Sequence, residues 1–430
     1  MVGLSQAHML PNPPSPPAIF GMTLAEYAAS RGTHAQSLRE EYLRCLRYGA
    51  GLTLPPITRH DEQDGVSKFC LAVGGDDGKV LETESVIIPM RSYRCTDWHT
   101  LCLSSQVGCR MACTFCETAR MGWLRNLSAA EIVAQRLVAR EVMQARTNLP
   151  LAPSLVRRGK TGGAPLLTKE GPGEVALALA HHRPYRYFGD GIQNIVFMGM
   201  GEPFDNFDNL IQAIRVLNEP NGLAFPLSQI TVSTVGRIDG LRKLAELARA
   251  EGPGRDGSGP GRRGRRRRGR DAGWANLRLA ISLNAPNDAL RDALMPINRG
   301  MPLAELQRAL LEYPLTRKGR YLIEYVMIKD VNDAPEHADQ VAAWCRPLPC
   351  VVNLIPYNPQ RAAPYATPSD ATIQAFLHRL RAQGIFVKRR ITYGRDLMGA
   401  CGQLGNPELR KARAQRVPPE TPPTEGDACA

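Results

Sequence analysis

Cys102-Leu-Ser-Ser-Gln-Val-Gly-Cys109-Arg-Met-Ala-Cys113-Thr-Phe-Cys116 is the stretch around which the rest of the chain is organised. Its last three cysteines are spaced Cys-x3-Cys-x2-Cys on a predicted loop, so three thiolates can lie around one side of a small inorganic cluster. A [4Fe–4S] cluster needs four ligands and this loop supplies three, which leaves one iron free to hold a molecule other than protein. Spacing alone leaves two alternatives open, a zinc site with a further Cys or His, and buried reduced cysteines.

Length and composition favour a large protein that binds nucleic acid. The 430 residues can form one large α/β domain with appendages, or two ordinary domains. The net charge of +13, from 54 Lys and Arg against 41 Asp and Glu, predicts attraction to a polyanion, most often a nucleic acid. The odd number of cysteines argues against a secreted disulfide framework, and no stretch approaches the ~18 apolar residues of a membrane span. We therefore expect a soluble, cytoplasmic protein with no membrane partner.

Patterning predicts three parts of the chain. Residues 1–90 comprise a mobile Pro-rich arm, a small helical module over 22–48 and a β-hairpin over 68–89. Residues 91–405 form the main domain, with insertions near 146–190 and 251–273, and residues 406–430 form a flexible tail. The first insertion carries a short helix near 174–181. The second is an Arg/Gly tract, which is either a site for RNA phosphates or a solvated loop.

From residue 100 onward, short aliphatic runs alternate with helical patterns. The predicted strands are 100–104, 194–200, 229–234, 277–283, 321–328 and 351–355. The predicted helices are 129–144, 206–218, 238–250, 303–313, 336–345 and 372–383. Six strand–helix units with nearly continuous apolar strands predict an α/β fold with a parallel sheet, an incomplete (β/α)6 barrel. Such sheets place their sites at the C-terminal ends of the strands.

Polar and small residues follow several of these predicted strands. Small residues let a ligand approach the backbone, and polar side chains can bind an amino acid group, ribose hydroxyls or adenine edges. Each alone is more often part of an ordinary turn or helix cap, but five polar tips on one rim predict a ligand site. These five are Glu202, Ser233, Ser282, Asn284 and Asn358.

Two further residues are ambiguous from the sequence. Cys401 lies between small residues on a predicted loop after the last strand, where a cysteine is either reactive or structural. Glu84 lies among apolar residues in the hairpin, and the sequence favours a solvated carboxylate on an edge strand.

Taken together, these residues resemble the RlmN/Cfr group of radical S-adenosylmethionine (SAM) RNA methyltransferases, from about residue 22 to residue 404. These enzymes methylate an unactivated adenine carbon in large-subunit ribosomal RNA, and some members also act on transfer RNA. The resemblance rests on the cysteine stretch 102–116 together with Met198-Gly-Met-Gly-Glu-Pro, Ile230-Thr-Val-Ser-Thr, Ala280-Ile-Ser-Leu, Glu324-Tyr-Val-Met, Asn353-Leu-Ile-Pro-Tyr-Asn-Pro and Ala400-Cys-Gly-Gln-Leu.

The resemblance implies the cofactors, their ligands and the partners. It implies a [4Fe–4S] cluster on Cys109, Cys113 and Cys116, and two SAM molecules used per turnover. It also implies an RNA substrate, an electron donor such as flavodoxin or ferredoxin, and a thiol reductant. The residues that it places around SAM are Gly201, Glu202, Ser233, Ser282, Leu283, Asn284 and Asn358.

The resemblance also implies three catalytic residues. Cys401 is the methyl carrier, whose thiolate takes a methyl group from one SAM by nucleophilic displacement. A second SAM, cleaved at the cluster, yields the radical that activates this methyl group for addition to adenine. Glu84 then matches the base that removes the ring proton. Cys102 matches the thiol that releases the product by forming a transient disulfide with Cys401.

The chain departs from the family pattern at three positions. Asn284 stands where His is usual, Tyr393 stands where Arg is common, and Glu117 follows the last cluster cysteine where a small residue is usual. The sequence favours methylation at adenine C2 and leaves C8 methylation as the close alternative. A different radical SAM enzyme and a non-catalytic Fe–S protein that binds RNA are the more distant alternatives.

Overall fold

The computed structural model describes residues 13, 15–49, 51–75, 78–91, 97–147, 190–251, 273–360, 364–390, 394 and 397–405. Several predicted features lie outside these residues: most of the Pro-rich arm and of both insertions, the short helix near 174–181, Tyr393 and the tail from residue 406.

The predicted N-terminal helical module is confirmed. Helix α1 (Leu24–Ser30) begins with a capping box, in which Glu26 Oε2 accepts from the Thr23 N–H at 2.7 Å and Thr23 Oγ1 accepts from the Glu26 N–H. Helix α2 (Ala35–Tyr48) ends at Gly49, whose φ of 65° is the left-handed conformation that glycine adopts at little cost. Tyr42 of α2 is fully buried in the same hydrophobic core as the main sheet.

The centre of the molecule is one ten-stranded sheet. Its order is β1-β2-β3-β4-β7-β8-β9-β10-β11-β12, and β5 and β6 form a separate two-stranded sheet. The strands are β1 Ile57–Gln63, β2 Val66–Gly74, β3 Val80–Arg91, β4 Asp97–Cys102, β5 Gln106–Val107, β6 Arg125–Asn126, β7 Ile192–Phe197, β8 Ile230–Thr234, β9 Arg278–Ser282, β10 Tyr321–Met327, β11 Cys350–Pro356 and β12 Val387–Arg389.

Strand direction divides this sheet into two regions. Neighbours from β1 to β4 are antiparallel, and neighbours from β4 through β7 to β12 are parallel. In the described part of the chain β12 pairs only with β11, so the parallel region from β4 to β12 does not close and is an open barrel. The predicted incomplete barrel and its six strand–helix units are therefore confirmed. Strands β1 and β12 are additions that the sequence analysis did not predict.

Helices cover the parallel strands as the periodicity predicts. Between strands, the backbone returns through helices whose apolar faces pack on the sheet. They are α3 Glu117–Met121, α4 Ala129–Thr147, α5 Phe207–Asn218, α6 Ile238–Ala250, α7 Asp288–Leu294, α8 Leu303–Glu312, α9 Pro335–Cys345 and α10 Asp370–Ala382. No helix among the described residues is long and apolar enough to span a membrane.

The prediction that Glu84 is a solvated carboxylate on an edge strand is wrong. Strand β3 lies between β2 and β4, so Glu84 is not on an edge strand, and it is 1% exposed rather than solvated. Lys68 on β2 explains the burial, because its Nζ lies 2.7 Å from Glu84 Oε2 and offsets the carboxylate charge.

Candidate active site

The barrel lumen holds two cavities that meet at Cys401. The upper cavity, about 150 Å³, is lined by residues at the C-terminal ends of the parallel strands and by Cys113 and Cys116. The lower cavity, about 410 Å³, is lined by Cys102 and, among other residues, by Thr231, Arg278 and Leu322 from the N-terminal halves of their strands. The residues that line both cavities are Met198, Glu324, Ile355, Asn358, Arg390 and Cys401.

The three cysteines of the cluster motif lie on the loop that follows β5. Cys109 and Cys113 are 7% and 6% exposed, and Cys116 is half-buried. Burial raises the pKa of each thiol, and the negative charge of Cys116 raises the pKa values of Cys109 and Cys113 further, which places the three sulfurs in one electrostatic neighbourhood. Within the described residues no group of three or more His, Cys, Asp or Glu side chains, these three cysteines included, converges on a single ion position.

The donors around these cysteines suit thiolate ligands of a cluster. Cys116 is the residue before the first turn of α3, and the nearby backbone N–H groups of Ala119 and Thr118 lower the pKa of its thiol against the effect of burial. Hydrogen bonds to ligand sulfurs are among the groups that tune an Fe–S centre. Within the part of the chain that the structure describes, none of the three cysteines forms a disulfide. The residues present therefore fit a cluster held by Cys109, Cys113 and Cys116.

Glu202 is the best-fixed polar group of the upper cavity. It is 2% exposed, and its two oxygens accept from the Phe204 N–H at 3.1 Å and the Val235 N–H at 2.9 Å. Burial raises the pKa of Glu202 to about 7, against the lowering effect of these hydrogen bonds. Gly201 has a φ of 101°, and a Cβ there would lie 2.6 Å from Gln106, so this turn requires glycine.

The other predicted SAM residues divide into two groups. Ser233, Ser282 and Asn284 line the upper cavity, as the rim argument predicts. Asn284 adopts a φ of 55°, and its Oδ1 accepts from the Val326 N–H at 3.0 Å, so this departure from the family pattern fits the strand tip. Leu283 is fully buried and is not among the residues that line the upper cavity.

Asn358 provides an open acceptor beside Cys401. Its Nδ2 donates to the Cys401 carbonyl at 3.2 Å, whereas its Oδ1 is buried and has no hydrogen-bond partner among the described residues. A buried acceptor in this state costs free energy unless a ligand satisfies it. This orphaned oxygen is consistent with a polar ligand in the upper cavity.

The loop that carries Cys401 is docked on α3. The Gly402 carbonyl accepts from the Glu117 N–H at 2.8 Å and from Gln360 Nε2 at 2.9 Å. The Leu404 carbonyl accepts from Thr118 Oγ1 at 2.6 Å. Glu117, for which the sequence offered no account, is thus the residue where the loop meets the helix that follows the cluster cysteines.

Cys102 and Cys401 come together in the lower cavity with Arg390, which the sequence analysis did not identify. Burial, and then the nearby Cys401 charge, raise the pKa of Cys102 to about 12, while Arg390 opposes the shift. Arg390 lines both cavities beside Cys401, and its Nη1 lies 3.7 Å from Glu324 Oε2. The Cys401 charge and Glu324 raise the pKa of Arg390. Two thiols and one cation therefore share this point of the lumen.

Glu84 does not line either cavity. Besides its ion pair with Lys68, it accepts from the Gly405 N–H at 3.2 Å, and Arg59 Nη2 lies 3.4 Å from its Oε1. Lys68 Nζ also donates to the Met398 carbonyl at 3.0 Å. The buried pair thus contacts both ends of the segment 398–405 that carries Cys401.

No family model matches the chain. It is 34% identical over 363 residues to the probable dual-specificity RNA methyltransferase RlmN 1 of Protochlamydia amoebophila, covering 84% of this chain and 79% of that protein. It is 36% identical over 377 residues to the dual-specificity RNA methyltransferase RlmN of Anaeromyxobacter dehalogenans, covering 86% and 82% of the two chains. The crystal structure of a radical SAM methyltransferase from Sphaerobacter thermophilus matches with a TM-score of 0.66 and 32% identity, over 90% of this chain and 99% of that one.

Proposed function

The chain belongs to the RlmN family of radical SAM RNA methyltransferases, and from this premise we propose that it methylates a ring carbon of adenine, C2, in large-subunit ribosomal RNA through an S-methylcysteine on Cys401. The observation that carries the proposal is the position of Cys401, which lines both the cavity beside the cluster cysteines and the cavity that contains Cys102. A methyl carrier needs access to both places.

The upper cavity is the proposed cofactor site. Cys109, Cys113 and Cys116 would hold the [4Fe–4S] cluster. Glu202, Ser233, Ser282 and Asn358 would bind SAM through their polar groups. When bound, these cofactors supply a methyl group and the 5′-deoxyadenosyl radical that activates it, with electrons from a donor such as flavodoxin or ferredoxin.

The chain's own contribution begins with Cys401 as a nucleophile. The reactive form of a cysteine is the thiolate, and a neighbouring cation stabilises that form. Arg390 is the proposed cation, because it lines both cavities beside Cys401 and interacts electrostatically with the Cys401 sulfur. The thiolate takes the methyl group in a displacement that forms a C–S bond on Cys401, breaks the methyl–sulfonium bond of SAM and releases S-adenosylhomocysteine.

Cys102 is the proposed resolving thiol. Once the methylene carbon on Cys401 has joined the adenine ring, the Cys102 thiolate attacks the Cys401 sulfur. An S–S bond forms, the electron pair of the C–S bond goes to the methylene carbon and the ring, a proton from solvent completes the methyl group, and the methylated RNA leaves. A thiol reductant then restores both cysteines. The pKa of Cys102, raised to about 12 by burial, keeps this thiol protonated until the resolving step.

Glu84 is the proposed acceptor of the ring proton. In the structure its carboxylate pairs with Lys68 and contacts Gly405, which is four residues from the carrier cysteine. Reaching the adduct therefore requires the segment 398–405 to move relative to β3. The segment contains glycines at 399, 402 and 405, which permit such a change in backbone conformation.

Cys401→Ala tests the carrier role. We expect this variant to lose methyl transfer to RNA while still cleaving SAM, because its cluster ligands are intact. Cleavage is measured as 5′-deoxyadenosine release from the reconstituted full-length enzyme. The matched control is Cys45→Ala, a buried cysteine of α2 that contacts neither cavity. If Cys401→Ala still methylates RNA, Cys401 is not the methyl carrier.

Cys102→Ala tests resolution. We expect enzyme covalently attached to RNA, because no thiol remains to break the C–S bond; recovery of free RNA alone would contradict the assignment. Digestion of RNA from the wild-type reaction, with 2-methyladenosine and 8-methyladenosine as mass-spectrometry standards, decides between C2 and the C8 alternative.

A further inference from the structure

The mouth of the lower cavity carries a cluster of basic side chains. Arg91, Arg278, Lys388 and Arg389 all line it. Arg91 and Arg389 each have an exposed aspartate partner, at 3.6 and 2.7 Å. Arg278 and Lys388 are exposed and have no acidic partner among the described residues. Unpaired cations around a concave opening attract a polyanion.

An exposed aromatic ring lies beside this opening. Phe386 is 59% exposed, and Lys388 Nζ lies 5.4 Å from its ring centroid. Exposed aromatic rings next to basic side chains are typical of surfaces that bind single-stranded nucleic acid, because bases stack on the ring while cations hold phosphates.

The inside of the lower cavity suits a purine. Ile88, Met90 and Leu322 contribute apolar wall, and its volume of about 410 Å³ lies within the range of small-molecule sites. Asn353 and Glu324 contribute polar groups, with Asn353 Nδ2 donating to Glu324 Oε1 at 2.9 Å. The Asn353 amide has a second N–H and an oxygen, the pair of groups that recognises the N6/N7 edge of adenine.

We propose that the target nucleotide of RNA enters the barrel through the lower cavity, from the end opposite the cofactor site. Arg278 and Lys388 hold its phosphates, and Asn353 reads the adenine edge. This inference rests on the proposed function. Cys102 and Cys401 both line this cavity, so an adenine inside it lies beside the carrier and the resolving thiol while the cofactor site stays free.

Salt-dependent RNA binding tests the entrance. The probe is a fluorescein-labelled hairpin RNA with one adenine in its loop, titrated with the full-length protein at several salt concentrations. For the double variant Arg278→Gln/Lys388→Gln we expect the slope of log affinity against log salt to become shallower by about 0.7 for each phosphate that the protein no longer neutralises. The matched control is Arg308→Gln/Lys318→Gln, which removes the same two charges from exposed positions away from both cavities.

Asn353→Ala tests the proposed role of Asn353 in recognising adenine. We expect it to lower the preference for adenine over guanine in the hairpin loop by roughly fivefold or more, with SAM binding unchanged. The proposed entry through the lower cavity is wrong if Arg278→Gln/Lys388→Gln keeps the wild-type salt slope and Asn353→Ala keeps the wild-type base preference. This holds even if the enzyme still methylates RNA. Conversely, if RNA binds at these residues as expected but is never methylated, the proposed function is refuted and the proposed entry through the lower cavity is not.

Discussion

Replacing Lys68 by Met should both destabilise the protein and release the loop that carries Cys401. The Lys68 and Glu84 side chains are 3% and 1% exposed and their charged atoms lie 2.7 Å apart. Met keeps an unbranched stem of similar length and removes the charge. Glu84 is then left buried with Arg59 as its remaining cation, at 3.4 Å.

The size of the effect follows from that burial. Breaking a buried ion pair by removing one partner costs about 3–5 kcal/mol, and because Arg59 remains we expect the lower end, about 3 kcal/mol. A chain of 430 residues has an unfolding entropy of about 0.9 kcal/mol per kelvin near its midpoint, so the melting temperature should fall by about 3 °C. Without the 3.0 Å hydrogen bond to Met398, alkylation of Cys401 by iodoacetamide should also be faster.

Two control variants separate the buried pair from a general effect of removing a lysine. Lys318→Met changes an exposed lysine and should leave both the melting temperature and the alkylation rate unchanged. The double variant Lys68→Met/Glu84→Gln should be more stable than the sum of its single variants predicts, because no unpaired buried charge remains. If Lys68→Met melts like the wild type and Cys401 reacts at the wild-type rate, the buried pair does not anchor the carrier loop.

Three other sites give testable outcomes. Gly201→Ala should weaken SAM binding measured by equilibrium dialysis, since its Cβ would lie 2.6 Å from Gln106 at a φ of 101°; wild-type binding would contradict this. Because burial raises the pKa of Glu202 from 4.5 to about 7, the folded protein binds an extra proton there between these values, so the contribution of Glu202 to the free energy of unfolding of the apoprotein should fall by roughly 3 kcal/mol as the pH rises from 4.5 to 7. The urea midpoints of the wild type and of Glu202→Gln, measured from pH 4.5 to 7, test this prediction. Equal pH slopes for the two proteins would contradict it. Asp190→Ala should lower the free energy of unfolding by about 3–5 kcal/mol, because Arg136 lies 2.7 Å away and both side chains are 1% exposed; a urea midpoint within error of the wild type would show that the pair contributes little.

The sequence predicts the parallel barrel well because each strand is a short aliphatic run with a helical pattern after it. Strand β1, Ile57–Gln63, escapes this rule because it is mostly polar and exposed, and only its pairing with β2 reveals it. Strand β12 has three residues, two of them exposed, and gives equally little signal. Local patterning detects strands that are buried on both faces and misses those at the sheet edges.

Some residues of the candidate site can be predicted from local sequence patterns, whereas others are identified only by their contacts with residues distant in the sequence. The cluster cysteines and the rim residues Glu202 and Ser233 follow from spacing and from the strand-end rule. Arg390 and Lys68 do not, because each acts on a residue far away in sequence. A lysine inside the apolar strand Val66–Gly74 was the available signal, since a buried charge requires a partner, but the sequence does not say that the partner is Glu84.

The carrier segment explains why these long-range contacts matter for the chemistry. A thiol that takes a methyl group beside one cavity and later forms a disulfide with Cys102 has to be positioned at each stage and yet able to shift between them. The segment 398–405 meets both needs, because its carbonyls at Met398 and Gly402 are held by Lys68 and by the Glu117 N–H, with Gly399 between these two points. These contacts hold the segment in the observed position, and its glycines let the backbone leave that position when the contacts break. The ion pair in the hairpin and the helix after the cluster cysteines are therefore as much a part of the proposed mechanism as the two thiols.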